Sequence, residues 1–424
     1  SVDPEQGRRD LTVLEALDNA AARIGDRFRG RPRVEAAIRL TLGSTYLGLG
    51  ELASADPHLV RALALFEGEL GTDHPDSIAA LHRLGHLRQV QERLDEALSH
   101  LEDARARAER VLEPTDPEII GIENLLGIVY RERADYTEAE SHLLRALELQ
   151  VGTYGEETAE TLMILNNLGN LCFHDDRIEE AERWYARALP LGERLHGPDS
   201  HRRMQTLSGI GLIHNSEGRD AEAEPLFRKV VEISTSSYGP EHPRTLRAMG
   251  RLATSLSALG RLEEAEDLAR ITHERRRGQL GELHSDTLHS LEQLGQIQVA
   301  RGHYREAQTS FEAAIAGLGE VRGPEHEDTL GARLSLATVY SRTRQGGAAR
   351  TIHEEVYEIR ARVHGEDDPR TWAAAGRLAR SLLSARELDE AERLARLASE
   401  GLARERGLDH VDTLNARQTL GEVY

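Results

Sequence analysis

Residues 168–181, LGNLCFHDDRIEEA, begin on a Leu-Gly pair and end on an alanine twelve positions after the glycine. The same pattern returns every 42 residues without insertion or deletion, with Leu-Ala replacing Leu-Gly in some units and Ile210 replacing one leucine. We call the small residue of each pair the anchor. The anchors are Gly43, Gly85, Gly127, Gly169, Gly211, Ala253, Gly295, Ala337, Ala379 and Gly421. A fixed period of this length is the sequence signature of a repeat architecture.

The residues around each anchor predict two antiparallel helices, which we name A and B. Helix A is expected to begin eleven residues before the anchor, at hydrogen-bond acceptors such as His74 and Asp116, which can serve as N-caps. A glycine seven residues after the anchor, such as Gly50, can take the left-handed conformation that ends helix A. Helix B carries the alanine and apolar residues at i, i+3 and i+4. We expect the anchors to be small because helices A and B approach closely there.

The repeats predict how the chain is organised. A single hairpin cannot bury both of its faces, so the repeats must stack, and we expect one cooperative all-α unit rather than several domains. Residues 1–31 are expected to form an N-terminal capping helix, since Leu11–Phe28 matches a helix B without a partner. Residues 32–409 should form nine helix pairs, and residues 410–424 a helix A alone. This half repeat either caps the stack or marks a truncation, which we favour because Leu414 and Leu420 would need a cover.

The composition argues against several classes of function. The chain has 53 basic and 73 acidic residues, a net charge of −20, which disfavours nucleic acid or an anionic membrane as the main partner. The single cysteine, Cys172, excludes an internal disulfide framework and fits a reducing compartment. No apolar run approaches the roughly 20 residues that span a bilayer. We therefore expect a cytoplasmic protein without a cofactor.

Further residues at fixed distances from the anchor point to a known family. The Leu-Gly pair, a tyrosine three residues after the anchor (Tyr46, Tyr130), the alanine at twelve and a small residue at nineteen resemble the tetratricopeptide repeat. The 42-residue period and the opening GPEHPRTL at residues 239–246 are similar to the kinesin light chain type. This resemblance implies a right-handed superhelical α-solenoid of helix-turn-helix repeats, with helix A lining a concave groove. It also implies a non-catalytic scaffold that holds a peptide or a partner protein there.

A second resemblance gives an alternative function. Residues 11–65 are similar to the region that follows the kinase domain in large bacterial serine/threonine kinases. The chain has no Gly-rich phosphate loop, no His-Arg-Asp motif and no Asp-Phe-Gly motif, so any kinase domain would lie outside it. The alternative is thus a sensor or regulatory region of a larger bacterial signalling enzyme. Self-association through the groove or the ends is a third interpretation.

The candidate binding site is a set of polar residues on helix A. In this family the groove is lined by residues three before, one after and five after the anchor, which share one helix face. Asparagine and histidine there can donate and accept hydrogen bonds to the backbone of an extended peptide, and arginines add positive charge. The predicted site residues are Asn124, Arg131, Asn166, Asn170, His174, Asn215, Arg247 and Arg251. The alternative is that they are only solvated surface residues.

The carboxylate clamp of chaperone-binding family members is matched only in part. Asn170 and the pair Arg247 and Arg251 stand at clamp positions. Asn166 replaces an expected lysine and Gly209 replaces the second asparagine. We therefore do not favour a C-terminal carboxylate as the ligand.

Other reactive residues fit structural roles better than catalytic ones. His82 and His86 have the i, i+4 spacing of metal ligands, but no third ligand is identifiable, so we interpret them as groove histidines and expect no metal. Acidic pairs recur in successive repeats, whereas catalysis needs one unique constellation, so we expect no enzyme within the chain. Cys172 should pack in the core. The run Arg275–Arg277 ends a helix B, where its positive charges should interact favourably with the negative end of the helix dipole. We expect these side chains to be mainly in solvent.

Overall fold

The structure is a computed structural model that describes residues 13–22, 24–28, 30–197, 200–408 and 410–424. These residues form α-helices and one short 3-10 helix, with no strand among them. The chain divides into two compact units, residues 1–213 and 214–424, where the sequence predicted a single unit. The boundary lies inside a 13-residue helix that contains Ser208, Gly209 and Gly211, which offer few side-chain atoms for packing.

The first unit contains an N-terminal segment and four full helix pairs. The A helices of these pairs are α3 (Pro32–Leu49), α5 (Pro75–Val90), α7 (Pro117–Glu132) and α9 (Ala159–His174). Their B helices are α4 (Leu52–Leu70), α6 (Leu94–Val111), α8 (Tyr136–Tyr154) and α10 (Ile178–His196). The 3-10 helix His201–Arg203 then leads into α11 (Met204–Ser216), the A helix of the fifth repeat.

The second unit begins within α11 and continues the same alternation. Its B helices are α12 (Asp220–Tyr238), α14 (Leu262–Leu280), α16 (Tyr304–Val321), α18 (Gly346–His364) and α20 (Leu388–Arg406). Its further A helices are α13 (Pro243–Ala258), α15 (Ser285–Arg301), α17 (Glu327–Arg342), α19 (Pro369–Ser384) and α21 (Val411–Val423). The predicted helix pairs are therefore confirmed. Among the described residues no helix is both long and apolar enough to cross a membrane.

The anchor glycines lie where helix A crosses helix B of the same repeat. A Cβ atom on Gly127 would lie 2.5 Å from Cγ of Leu143, and one on Gly169 would lie 2.7 Å from Cζ of Tyr185. Both partners stand 16 residues after the anchor, and their exposed fractions are 0% and 1%. Ordinary carbon–carbon contacts lie at about 3.5–4.0 Å. The anchors are therefore small because a buried side chain of helix B occupies the space, as predicted.

The repeats whose anchor is larger carry a different partner. Where the anchor is glycine, the residue 16 positions later is leucine, tyrosine or phenylalanine. Where the anchor is alanine, that residue is Ala269, His353 or Ala395. A close-packed interface keeps its volume when one side grows and the other shrinks. The pattern within this one chain follows that rule.

Histidine caps five of the A helices. Its Nδ1 atom accepts the backbone N–H two residues later, at 3.1–3.2 Å, as predicted. The five caps are His74, His242, His284, His326 and His410. Only a ring nitrogen without a proton can accept a hydrogen bond, so Nδ1 is the acceptor nitrogen in each of these caps.

The turn from helix A to helix B has the same backbone conformation in all nine repeats. The residue seven positions after the anchor has a positive φ angle, which is 83° at Gly50 and 83° at Gly302. The sequence predicted this conformation only at glycines. The structure also has it at Glu92, Ala134, Asp176, Arg344 and Arg386, with φ between 58° and 64°. An L-residue in this region costs about 1–2 kcal/mol, so the hairpin geometry overrides the local preference.

The N-terminal segment covers the first helix pair with two short helices. The sequence predicted one helix over Leu11–Phe28, whereas the structure has α1 (Val13–Ala21) and α2 (Ile24–Arg27); residues 1–12 lie outside the described part. Ile24 is buried against Tyr46 and its neighbours in the first repeat. The Tyr46 hydroxyl donates to Oδ1 of Asp18 at 2.6 Å. The segment thus covers apolar surface of the first repeat.

Candidate functional site

Two of the predicted groove asparagines are part of the contact between neighbouring A helices. Asn124 on α7 and Asn166 on α9 stand at equivalent repeat positions, and their exposed fractions are 6% and 1%. Oδ1 of Asn124 accepts from Nδ2 of Asn167 at 2.9 Å. Oδ1 of Asn166 accepts from the Thr206 hydroxyl at 2.8 Å. Both residues are therefore buried and joined to the next repeat.

Asn170 is one helical turn beyond Asn166 and is only partly buried. Its Oδ1 accepts from the hydroxyl of Tyr185, the aromatic partner of the Gly169 anchor, at 2.8 Å. The ring of Tyr185 also lies against Gly209, where a Cβ atom would collide with it. The clamp position at residue 209 is therefore glycine because the Tyr185 ring fills that space.

Asn124, Asn166 and Asn170 share one hydrogen-bonding arrangement. In each, the side-chain oxygen accepts a hydrogen bond from the protein. The side-chain N–H groups of the three residues donate to no residue that the structure describes. An amide fixed through its oxygen offers N–H donors with a set orientation. Of the three, only Asn170 is exposed enough to bind a carbonyl oxygen, the acceptor that an extended chain presents.

Arg131 and His174 stand near the C-terminal ends of α7 and α9. Arg131 is partly buried, with Nη2 at 3.4 Å from Oε1 of Glu132. Burial lowers the pKa of His174, and the nearby positive charge of Arg131 lowers it further. The His174 side chain is partly surrounded by protein but still reaches solvent, so the first unit places one guanidinium and one imidazole beside each other at this edge.

The remaining predicted site residues lie in the second unit. Oδ1 of Asn215 accepts from the Ser255 hydroxyl at 3.0 Å, again a contact between successive A helices. Arg247 is exposed and Arg251 is partly buried on α13. Burial lowers the pKa of Arg276. The negative charge of Asp286 raises this pKa and the positive charge of Arg247 lowers it, and both effects are smaller than that of burial. The structure thus places five predicted residues in one unit and Asn215, Arg247 and Arg251 in the other.

The sequence prediction missed the residue two positions before the anchor. In several repeats this residue donates a hydrogen bond to the residue three before the previous anchor, 43 positions earlier. The pairs are Asn167 to Asn124, Gln293 to the Gly250 carbonyl and Ser335 to Glu292. A polar residue at this position could have indicated a contact between neighbouring A helices. To predict the contact, one must know that it joins residues 43 positions apart, one more than the repeat length.

His82 and His86 do not share a site. His82 is 5% exposed, and its Nδ1 lies 2.7 Å from Oε1 of Glu118 on the next A helix. Burial favours a raised pKa at Glu118, but the hydrogen bond from His82 holds that pKa below its usual value. Burial, with smaller effects of His82 and Arg83, lowers the pKa of His86 to about 4. His82 was interpreted as a groove histidine; the structure buries it, and it pairs with a glutamate of the next A helix.

Cys172 is a packing residue. It is fully buried beside Ala181 and Tyr185, and burial raises the pKa of its thiol to about 11. Its sulfur lies close to carboxylates of Glu140 and Glu180. Arg177 already lies between them, with Nη1 at 3.0 Å from Glu140 and 2.9 Å from Glu180. The positive charge beside these acids is thus a guanidinium of the protein.

The arginine run on α14 is less solvated than the sequence suggested. Nη1 of Arg275 donates to the Pro240 carbonyl at 2.9 Å, and Nη1 of Arg276 donates to the Asp286 carbonyl at 3.0 Å. Only Arg277 of the three is exposed. Two of these side chains therefore hold neighbouring loops of the second unit.

Comparison with known families agrees with this geometry. A family model described as tetratricopeptide repeat matches residues 34–110, 76–151, 118–194, 160–236, 202–270 and 250–320, and a second model of that description matches residues 329–370. The chain belongs to the tetratricopeptide repeat family. The prediction of an α-solenoid built from tetratricopeptide repeats is therefore confirmed.

Solved structures of several proteins are similar to this tetratricopeptide repeat protein. A Podospora anserina kinesin light chain protein with nearly identical TPR-like repeats is 25% identical, covering 48% of this chain and 96% of its own, with a TM-score of 0.43. The apo quorum sensor NprR from B. thuringiensis is 16% identical, covering 82% and 96%, with a TM-score of 0.58. A Rap protein complexed with Competence and Sporulation Factor is 14% identical, covering 92% and 98%, with a TM-score of 0.52.

These comparisons define the general role of the chain. No curated protein sequence matches it. The tetratricopeptide repeats form a scaffold of the kind that is typical of protein interactions. The resemblance of residues 11–65 to the repeat region of bacterial kinases, and self-association, stay predictions.

Proposed function

We propose that the first unit of this tetratricopeptide repeat protein binds an extended peptide segment of a partner protein along α7 and α9. The observation that carries this proposal is Asn170, which is only partly buried and whose oxygen accepts from Tyr185 while its N–H group donates to no residue that the structure describes. A peptide carbonyl would accept from this donor without regard to side-chain sequence, whereas Asn124 and Asn166 beside it are almost fully buried.

The charges near the asparagines suggest the chemistry of the peptide. Arg131 and His174 lie toward one end of α7 and α9, so we propose that an acidic or polar peptide side chain contacts them there. A Rap protein with this fold has been solved in complex with Competence and Sporulation Factor, which supports the use of the fold for ligand binding. We propose the same role for Asn215, Arg247 and Arg251 within the second unit, and we place the protein in the cytoplasm.

The test must remove a donor without removing the internal hydrogen bond. Replacing Asn166 by alanine would leave the buried Thr206 hydroxyl without its acceptor, at a cost of about 1–3 kcal/mol in stability. Asn170→Asp is the better variant, because a carboxylate still accepts from the Tyr185 hydroxyl but cannot donate to a peptide carbonyl. Gln296→Glu makes the same chemical change at the equivalent position of the seventh repeat, in the second unit.

Peptides selected from a random 15-residue display library against the full chain serve as probes. We expect Asn170→Asp to raise their Kd about 5–20-fold in fluorescence anisotropy, because a lost hydrogen bond and a repelled carbonyl together cost about 1–2 kcal/mol. Gln296→Glu should leave Kd unchanged, and photo-crosslinking should label α7 and α9. Selected peptides that bind Asn170→Asp as tightly as the wild-type chain would refute the proposed site.

A further inference from the structure

The second unit contains a cavity formed by helices that take no part in the proposed peptide site. It has a volume of about 690 Å³ and is formed by α14, α15 and α16. Its apolar wall includes Leu283, Leu288 and Leu291, together with Ala313 and Ala316. A volume of about 300–1,000 Å³ is typical of clefts that bind small molecules. The cavity is therefore large enough for an organic ligand.

The sequence of the seventh repeat explains why this space is open. Residues 18, 21 and 22 positions after its anchor are Ala313, Ala316 and Gly317, which all line the cavity. At the first of these positions the other repeats carry Arg61, Asp103, Arg145, Arg187, Lys229, Ile271, Glu355 and Leu397. No other repeat has small residues at all three positions. This combination of small residues is thus specific to the seventh repeat.

The inner wall of the cavity contains a polar side chain without a partner. Thr287 is 1% exposed, and its hydroxyl makes no hydrogen bond to the described residues. The equivalent hydroxyls of Thr245 and Thr329 donate to the glycine carbonyl that ends the preceding B helix, at 2.8 and 2.9 Å. Close by, Gln298 accepts from the Ser310 hydroxyl at 2.9 Å. The hydroxyl of Thr413, at the equivalent position of α21, is also buried without a partner among the described residues, so this feature does not by itself indicate a ligand.

The mouth of the cavity is negatively charged. Three exposed carboxylates, Glu282, Glu306 and Glu320, face it together with one exposed guanidinium, Arg277. His273 also lines the cavity, and burial lowers its pKa, which keeps the ring uncharged near neutral pH. A cleft with an excess of negative charge over a low-dielectric wall concentrates cations. The charge and the apolar wall together favour a ligand that is both cationic and apolar.

We propose that this cavity is a binding site for a small amphipathic organic cation. The apolar body of the ligand lies against Leu288, Leu291 and the two alanines, and its positive group faces the glutamates. This site is independent of the proposed peptide site, which is built from α7 and α9. The chain thereby combines a protein-binding surface with a small-molecule site, as a sensor requires.

The experiment uses two rod-shaped fluorescent probes that match in shape and have opposite charges. The cation is trimethylammonium-diphenylhexatriene and the anion is diphenylhexatriene propionate, and both become bright in an apolar site. We expect the full chain to bind the cation with one-to-one stoichiometry and at least tenfold more tightly than the anion. The double variant Glu306→Gln/Glu320→Gln should reduce this preference to about threefold or less, because it removes two of the three acids.

Filling the cavity tests its location. Ala316→Leu adds bulk to an exposed helix position that lines the cavity, and we expect it to raise the Kd of the cation at least tenfold. Ala106→Leu is the matched control, since Ala106 is also exposed and also lies 21 residues after its anchor, and it should not change Kd. Ala313→Leu provides a second filling variant if circular dichroism shows that the first is misfolded. Equal affinity for both probes, or unchanged affinity in the filled variants, would overturn the proposal.

Discussion

Gly127→Ala tests whether close approach at the anchor holds the hairpin together. The new methyl group would lie 2.5 Å from Cγ and 2.8 Å from Cδ2 of Leu143, and 3.1 Å from the backbone oxygen of Ala139. Leu143 is fully buried and cannot move into solvent. Overpacking of this kind costs about 1–3 kcal/mol, and alanine recovers about 1 kcal/mol of helix propensity. We expect a net loss of about 0–2 kcal/mol.

The control is a glycine inside another A helix that has free space around it. A Cβ atom on Gly331 of α17 would meet no atom within 4 Å, so Gly331→Ala should stabilise its helix by about 0.8–1 kcal/mol. Hydrogen–deuterium exchange in increasing urea, followed by mass spectrometry of peptides from α7, α8 and α17, gives the local free energy of opening. Local readout is needed because an array of repeats need not unfold in a single step.

A second mutation should reverse the sign of the effect of Gly127→Ala on stability. Leu143→Ala alone should cost about 2–5 kcal/mol by leaving a cavity. In that background Gly127→Ala meets only the backbone oxygen of Ala139 at 3.1 Å, so it should stabilise by up to about 1 kcal/mol. The chain already carries such alanine pairs at residues 253 and 269 and at residues 379 and 395. If Gly127→Ala stabilised α7 as much as Gly331→Ala stabilises α17, the packing argument would be refuted.

Three further predictions concern pH, a threonine pair and a strained turn. Burial lowers the pKa of His86 and His353 in the folded chain to about 4, whereas both have a pKa of about 6.5 when unfolded. Between these two pH values the unfolded chain binds more protons than the folded chain. The free energy of unfolding should therefore decrease as the pH falls from about 6.5 toward 4. Thermal unfolding should show this decline, and it should be shallower in His86→Gln/His353→Gln; an equal slope would contradict the assignment. Thr245→Val should cost about 1–2 kcal/mol in urea titrations by removing a donor from a glycine carbonyl, whereas Thr287→Val, whose hydroxyl has no described partner, should be neutral or stabilising. Ala134→Gly should raise the melting temperature through a gain of about 0.5–1 kcal/mol, because alanine is strained at φ 64°, and a lower melting temperature would count against strain.

The sequence alone was sufficient for the features that repeat. The 42-residue period, the small anchors and the histidine caps all concern residues of one hairpin, which are close in the chain and bound by helix geometry. A cap such as His284 needs only a backbone N–H two residues away, and an anchor such as Gly169 needs only its own helix B. Short-range geometry of this kind is readable from residue spacing.

The features that differ between repeats needed the tertiary structure. Asn124 was predicted to face a ligand, yet its oxygen is bound by Asn167, because neighbouring A helices are offset by one residue beyond the repeat. The N-terminal segment divides into two helices, and the helix-ending conformation at Ala134 ignores residue preference. The cavity beside Ala313 depends on the spacing of two B helices that are not joined by a turn. Residue spacing determines the geometry within a hairpin, whereas contacts between hairpins depend on how the side chains of neighbouring hairpins pack together.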